Sequence, residues 1–89
     1  MVSEKVTIIN KLGLHMRPAG LFVQTMAKYK SSIIIVSGEK EIDGKRLMQV
    51  MSACIKCGTE VELKCSGPDE VEMLQAATDL IKSGLGDEI

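Results

Sequence analysis

The chain has 89 residues, 45% of them hydrophobic and 26% charged, which suits one small globular domain and leaves no room for a second. Eleven basic residues nearly balance twelve acidic ones, and the chain has one Phe, one Tyr and no Trp. These numbers argue against a nucleic-acid-binding protein, which needs a basic surface and often aromatic residues for base stacking. The longest wholly aliphatic run covers residues 33–36, whereas a membrane span needs roughly 20 residues. We therefore expect one domain over residues 1–89, without nucleic-acid partners or membrane insertion.

The N-terminus and the cysteines indicate the compartment. The first ten residues mix charged with apolar positions and lack the apolar stretch of a secretory signal, which favours a cytoplasmic protein. The odd number of cysteines, three, favours free thiols over a disulfide framework. Cys54, Cys57, Cys65 and His15 together would supply a Cys₃His zinc site, but a structural zinc site usually brings two close pairs of ligands. We predict no metal and no cofactor, and we expect the thiols to act as small, buried or partly buried apolar groups.

The first half of the chain predicts a strand, a helix and a hairpin. Residues 4–9 alternate between apolar and polar side chains, which is the pattern of a half-buried strand. After a loop, helical spacing predicts a helix over about residues 16–27, with an apolar stripe made of Ala19, Phe22, Val23 and Met26. Residues 32–36 and 40–42 flank a Ser-Gly turn and predict two antiparallel strands.

The second half predicts a short helix, a strand and a longer helix. The apolar residues between 47 and 51 suit a helix of one to two turns. Residues 60–65 alternate strictly and predict a strand. Pro68, Asp69 and Glu70 supply a helix start, and Gly84 a stop, for a helix with the apolar stripe Val71, Leu74, Ala77, Leu80 and Ile81. The order β-α-β-β-α-β-α predicts an α+β fold, a mainly antiparallel sheet covered by helices on one face and open on the other.

The single histidine of the chain stands at the start of the first predicted helix, in the segment Gly13 to Ala19. A helix start carries backbone N–H groups without intrahelical partners and a partial positive charge, so it stabilises an anion. Pro18 would fall in the first turn, the amides of Met16 and Arg17 would face an oxyanion, and the Arg17 guanidinium suits phosphate oxygens. A neutral imidazole is a nucleophile near pH 7 without a general base. His15 alone would usually be a plain helix cap, but with Arg17 and Pro18 it indicates an anion pocket that contains a nucleophile.

Several segments carry a resemblance to a known family: Leu12-Gly13-Leu14-His15, Arg17-Pro18-Ala19, residues 21–25, Val50-Met51-Ser52 and residues 83–86. Over nearly its whole length the chain resembles the histidine-containing phosphocarriers, HPr, of the bacterial phosphoenolpyruvate-dependent phosphotransferase system. The resemblance implies a four-stranded antiparallel sheet with three helices. It also implies that the protein is a carrier and not an enzyme: Nδ1 of His15 would accept a phosphoryl group from phosphorylated enzyme I and pass it to IIA domains of sugar transporters, with Arg17 holding the phosphate.

Two positions depart from the family pattern. Met16 replaces the small residue, usually Ala or Thr, that follows the histidine in most members, which would make the site more crowded or more apolar. Arg46 stands where Gram-positive relatives have a serine that a dedicated kinase phosphorylates. Because a transient carrier docks on several partners, and Met suits adaptable surfaces, we hypothesise a docking patch of Leu47, Met48 and Met51, ringed by Arg17, Lys45 and Arg46.

Three functions remain open from the sequence. The first is a phosphocarrier in sugar uptake, and the second is a regulatory phosphocarrier of the nitrogen-related branch of the same system. The third is an interaction module that has lost phosphotransfer, against which His15, Arg17 and Pro18 argue together. We expect a monomer, although the sequence leaves the oligomeric state open, as it does the transported sugar.

Overall fold

The computed structural model describes residues 1–86 and confirms the predicted order of elements. Residues 87–89, which the predicted domain includes, lie outside the described residues. The elements are β1 (Val2–Thr7), α1 (Met16–Met26), β2 (Ser32–Ser37), β3 (Lys40–Asp43), α2 (Leu47–Ser52), β4 (Glu60–Ser66) and α3 (Glu70–Lys82).

The four strands form one antiparallel sheet in the order β1-β4-β2-β3. In β4 the residues Val61, Leu63 and Cys65 are buried, and the residues between them point to the other face and are more exposed. The buried face lies under the helices, and α3 contacts both β1 and β4. The predicted open-faced sandwich of four strands and three helices is therefore confirmed.

The core is aliphatic, as the shortage of aromatic residues requires, with Phe22 of α1 as its one aromatic member. Its other fully buried members include Ile8, Met26, Ile33, Ile35, Leu63, Met73 and Ile81. Complete burial of a side chain of this size contributes roughly 1.5 to 3 kcal/mol to folding. This burial fixes α1 and α3 on the sheet and thereby positions the start of α1.

The first strand lies earlier in the chain than its alternation predicts. It covers residues 2–7 instead of 4–9, because Val2 and Ser3 pair with Cys65 and Lys64 of β4. Ile8 follows the strand but stays buried, and its backbone N–H donates to the carbonyl of Thr59 at 2.9 Å. Strand pairing decided the boundary here, and the side-chain pattern did not.

The buried stripe of α3 also differs from the prediction. Val71 was expected in the core but is 61% exposed, whereas Met73 is fully buried. Residues 73, 77 and 81 are four apart and lie on one face of the helix, and this face meets the sheet. Val71 belongs to the first turn and points away from that face.

Candidate functional site

His15 is the N-cap residue of α1, as its position before the helix predicts. Its backbone is extended, with φ −77° and ψ −174°, and its carbonyl accepts the N–H of Ala19 at 3.0 Å. The half-buried imidazole makes no capping hydrogen bond to the helix. The side chain is therefore not a plain helix cap, the function that a histidine at a helix start would most often have.

The first turn of α1 has the features of an anion site. It contains no acidic residue, Pro18 is buried in it, and Met16 and Arg17 are exposed. Pro18 costs no helical hydrogen bond at this place, because the first N–H groups of a helix lack intrahelical acceptors. The positive end of the helix dipole thus lies next to the His15 imidazole.

The loop before His15 is clamped to the segment that follows α2. Gly13 has φ +70°, and a Cβ atom there would lie 2.1 Å from the carbonyl oxygen of Ile55, so any side chain would collide with the backbone. The N–H of Leu14 donates to the same carbonyl at 2.9 Å, and the Leu14 side chain is buried. This clamp explains in physical terms why Gly13 and Leu14 precede the histidine.

Asn10 is a second anchor of this loop, which sequence reasoning missed. It is fully buried, and its Nδ2 donates to the carbonyl of Gly84 at 2.6 Å, which ties the loop to the end of α3. A single polar residue in a loop gives no periodic signal. Its burial depends on two segments that are 74 positions apart in the chain.

Two shallow depressions flank the start of α1. His15 lines the first, of about 290 Å³, between its loop and the end of α2, together with Met51, Cys54 and Lys56. Arg17 lines the second, of about 420 Å³, between α1 and the turn after α3. Among the described residues no Asp or Glu lines either depression. The described residues that line the two depressions therefore include the cations Arg17 and Lys56 and no carboxylate.

The residues of the hypothesised docking patch occupy different environments. Leu47 and Met48 are exposed, by 37% and 73%, while half-buried Met51 lines the depression of His15. Arg46 is exposed and its Nε lies 3.3 Å from Oδ2 of Asp43. Lys45 is half-buried, and its Nζ donates to the carbonyl of Tyr29 at 2.7 Å. Lys45 thus stabilises the loop between α1 and β2, which contains Tyr29, in addition to any contact that it makes with a partner.

The cysteines differ from the expectation. Cys54 and Cys57 are exposed, so the expectation of at least partial burial is wrong for both, whereas Cys65 is buried. Helix α2 ends at Ser52, and its buried face does not continue to the two thiols. Burial raises the pKa of the Cys65 thiol to about 11.

Within residues 1–86 no group of three or more His, Cys, Asp or Glu could hold a metal ion. No helix of these residues is long and apolar enough to cross a bilayer.

Known proteins are similar to the chain in sequence and in architecture. The family model described as the PTS HPr component phosphorylation site matches residues 2–83. The phosphocarrier protein HPr of Neisseria meningitidis serogroup A is 38% identical over 87 residues, which are 98% of each chain. The structure of HPr-C-His from Thermoanaerobacter tengcongensis is 42% identical, with a TM-score of 0.95 and full coverage of both chains. A structure of an HPr dimer from the same organism is 41% identical, with a TM-score of 0.78 and coverage of 98% and 100%.

The family match covers the helix start with its histidine, the sheet and all three helices, and full-length relatives exceed 30% identity. The chain therefore belongs to the HPr family of phosphocarrier proteins of the phosphotransferase system.

Proposed function

We propose that the chain accepts a phosphoryl group on Nδ1 of His15 from phosphorylated enzyme I and passes it to IIA domains of sugar transporters. In each transfer the bond from phosphorus to the donor breaks as the bond to the acceptor forms, so the chain ends each cycle unchanged. The observation that carries the proposal is the imidazole at the N-terminus of α1, in a depression whose described lining includes Lys56 and no carboxylate. A phosphoryl group there would be stabilised by the first-turn amides and the helix dipole.

Arg17 is proposed to hold the phosphate together with the backbone amides of Met16 and Arg17. Arg17 is exposed and lies two residues after the proposed nucleophile, and its side chain is long enough to reach phosphate oxygens. Its guanidinium can donate several hydrogen bonds to them. Met16, 67% exposed, adds an apolar surface at the entrance. Its thioether would contact the partner and not the phosphate.

The docking surface is proposed to comprise Leu47, Met48 and Met51, with Arg46 and Lys45 at its edge. Leu47 and Met48 are exposed and Met51 lines the depression of His15, which supports transient contact with several partners. The cations favour acidic partner surfaces. Lys45 would contribute less than Arg46, since its ammonium already bonds the Tyr29 carbonyl.

We place the carrier in the cytoplasm, where these partners would meet it, and we propose that it acts as a monomer. The groups proposed to act on the phosphate all come from one chain, so a second copy adds nothing to the site. Because a relative has been crystallised as an HPr dimer, light scattering should accompany the transfer assay. The nitrogen-related branch would use the same chemistry, and phosphotransfer to purified IIA domains of each branch distinguishes the two.

The decisive experiment incubates the chain with enzyme I and labelled phosphoenolpyruvate. We expect one label for each chain, labile in acid and stable in alkali, that disappears in His15→Ala and persists in the control Lys11→Ala. Label that survives His15→Ala would overturn the assignment. A chain that is never labelled would instead support the interaction module that has lost phosphotransfer.

The same assay tests Arg17. Arg17→Ala should slow transfer, while the free energy of unfolding changes by only about 0.5 kcal/mol, because the side chain is exposed. Unchanged kinetics would contradict the proposed contact with phosphate, and an unfolded variant would show that Arg17 has a structural role instead.

A further inference from the structure

Lys56 lies directly beside the loop that carries His15. A Cβ atom on Gly13 would come within 2.9 Å of the Cα atom of Lys56, so the two backbones touch. The hydrogen bond from Leu14 to the carbonyl of the preceding residue, Ile55, fixes the same contact. The carbonyl of Lys56 accepts the N–H of Thr59 at 3.1 Å, which closes the turn. The backbone at Lys56 is therefore held in a defined place relative to the imidazole.

The side chain of Lys56 is exposed and lines the same depression as His15. Arg17 lines the other depression, so the two cations approach the start of α1 from different elements. Within the described part of the chain, Lys56 is the one permanently charged side chain in the wall of the His15 depression. A phosphoryl group on His15 would add a charge of about −1.5 to −2 beside it.

We propose that Lys56 is a second electrostatic stabiliser of the phosphorylated state, which deepens the proposed function and rests on it. The ammonium acts through space on the phosphoryl group, and the proposal requires no direct hydrogen bond. Its attraction is present when His15 carries the phosphoryl group and absent when the imidazole is neutral. Lys56 thus shifts the phosphorylation equilibrium of the chain in favour of the phosphorylated form.

The size of the effect follows from Coulomb's law. For a dianion and a cation in largely aqueous surroundings, loss of the ammonium should reduce the phosphorylation equilibrium constant about two- to fivefold at low ionic strength. The reduction should approach unity in high salt, because exposed charges are screened there. A lysine that only supports the fold would show no such dependence on salt.

A competition experiment measures this shift. The phosphorylated wild-type chain is mixed with an equal amount of unphosphorylated Lys56→Gln and a trace of enzyme I, which exchanges the phosphoryl group until equilibrium. Native gels separate the two chains by their difference of one charge. We expect the label to favour the wild-type chain about 1.4- to 2.2-fold at low salt, which is the square root of the ratio of the two equilibrium constants, and to divide almost equally at high salt. Lys56→Arg, which keeps the charge of the wild type and is distinguished from it by intact mass at neutral pH, should keep an equal share with the wild type.

Lys11→Gln is the matched control. Lys11 is exposed in the same loop as His15 but does not line the depression, so its removal should leave the label equally divided. An equal division for Lys56→Gln at low salt, or an equal loss for Lys11→Gln, would overturn the assignment of Lys56. A wild-type chain that takes up no label would overturn the proposed function itself, which separates the two failures.

Discussion

Asp69 joins the start of α3 to the loop before β2. Its carboxylate accepts the hydroxyl of Ser31 and the backbone N–H groups of Lys30, at 2.9 Å, and Ser31, at 2.8 Å. The Ser31 hydroxyl contributes most, followed by the N–H of Lys30, and together they lower the pKa of Asp69 from 3.8 to about 2. The folded chain therefore binds this proton more weakly than the unfolded chain does. The resulting stability is complete above pH 3.8 and is lost as the pH falls towards about 2.

Asp69→Asn should lower the free energy of unfolding at neutral pH and weaken the loss of stability between pH 3.8 and about 2. Urea denaturation at several pH values measures both effects. Asp79→Asn replaces an exposed carboxylate of the same helix and serves as the control, with the acid dependence retained. An acid dependence of Asp69→Asn equal to that of the wild type would show that another carboxylate dominates.

Cys54 and Leu85 share an uncommon backbone conformation, with φ +52° and φ +53°, that favours glycine. Cys54 is exposed, so its side chain returns little packing energy, whereas Leu85 is buried in the core. Cys54→Gly should raise the free energy of unfolding by about 0.5 to 1 kcal/mol, since strain relief exceeds the entropic cost of glycine. Leu85→Gly should lower it by about 2 kcal/mol or more, because lost burial outweighs the relief of strain. Chemical denaturation measures both, and a loss of stability in both variants would show that Cys54 is not strained.

At the scale of elements, the sequence predicted every helix and strand but not every boundary. Periodicity reports which side chains share a face, and this signal is strong in β4 and α1. It does not report which backbone segments pair, so β1 begins two residues earlier than predicted. It also did not distinguish which face of α3 packs on the sheet, so Val71 is exposed where the prediction places it in the buried stripe. The N-cap position of His15 was predictable because Pro18 and the apolar stripe mark the helix start.

Helix α2 is the element on which partner docking would depend, and Arg46 is its N-cap residue. Arg46→Glu should slow transfer from enzyme I at low ionic strength by more than Arg46→Ala does, by about two- to tenfold, because an acidic partner surface is then repelled. The difference should shrink as salt rises. Stopped-flow transfer measures it, with the equal charge change Lys40→Glu in β3 as the control. Equal rates for all variants at low salt would place Arg46 outside the docking surface.

At the scale of the whole molecule, the sequence indicated which residue is the proposed nucleophile but not what holds it in place. His15, Arg17 and Pro18 lie within four residues of one another in the chain, so a joint role could be proposed from the sequence. The clamp on Gly13, the buried Asn10 and the position of Lys56 join segments about 40 to 75 residues apart. Such contacts form only when the helices pack on the sheet, and one sequence alone gives no signal for them.

The central position of β4 makes Cys65 a reporter of global unfolding. Its Cα is paired with Val2 of β1 and Ile33 of β2, and the side chain is fully buried under the helices. Burial also raises its pKa to about 11, so little reactive thiolate forms in the folded state. A reagent should therefore reach the thiol only when the sheet opens.

In a variant with Cys54 and Cys57 both replaced by Ser, Cys65 is the single thiol, and its alkylation rate can be followed alone. With a typical stability of 5 kcal/mol or more, the rate should be at least about a thousandfold below that of the unfolded chain. If opening is global, the natural logarithm of the rate should rise with urea from the lowest concentrations, with a slope equal to the equilibrium m value divided by RT. Release of the edge strand β1 alone would expose little surface, so a rate independent of urea at low concentration would contradict global opening. The slope thus decides whether the four-stranded sheet opens as one cooperative unit.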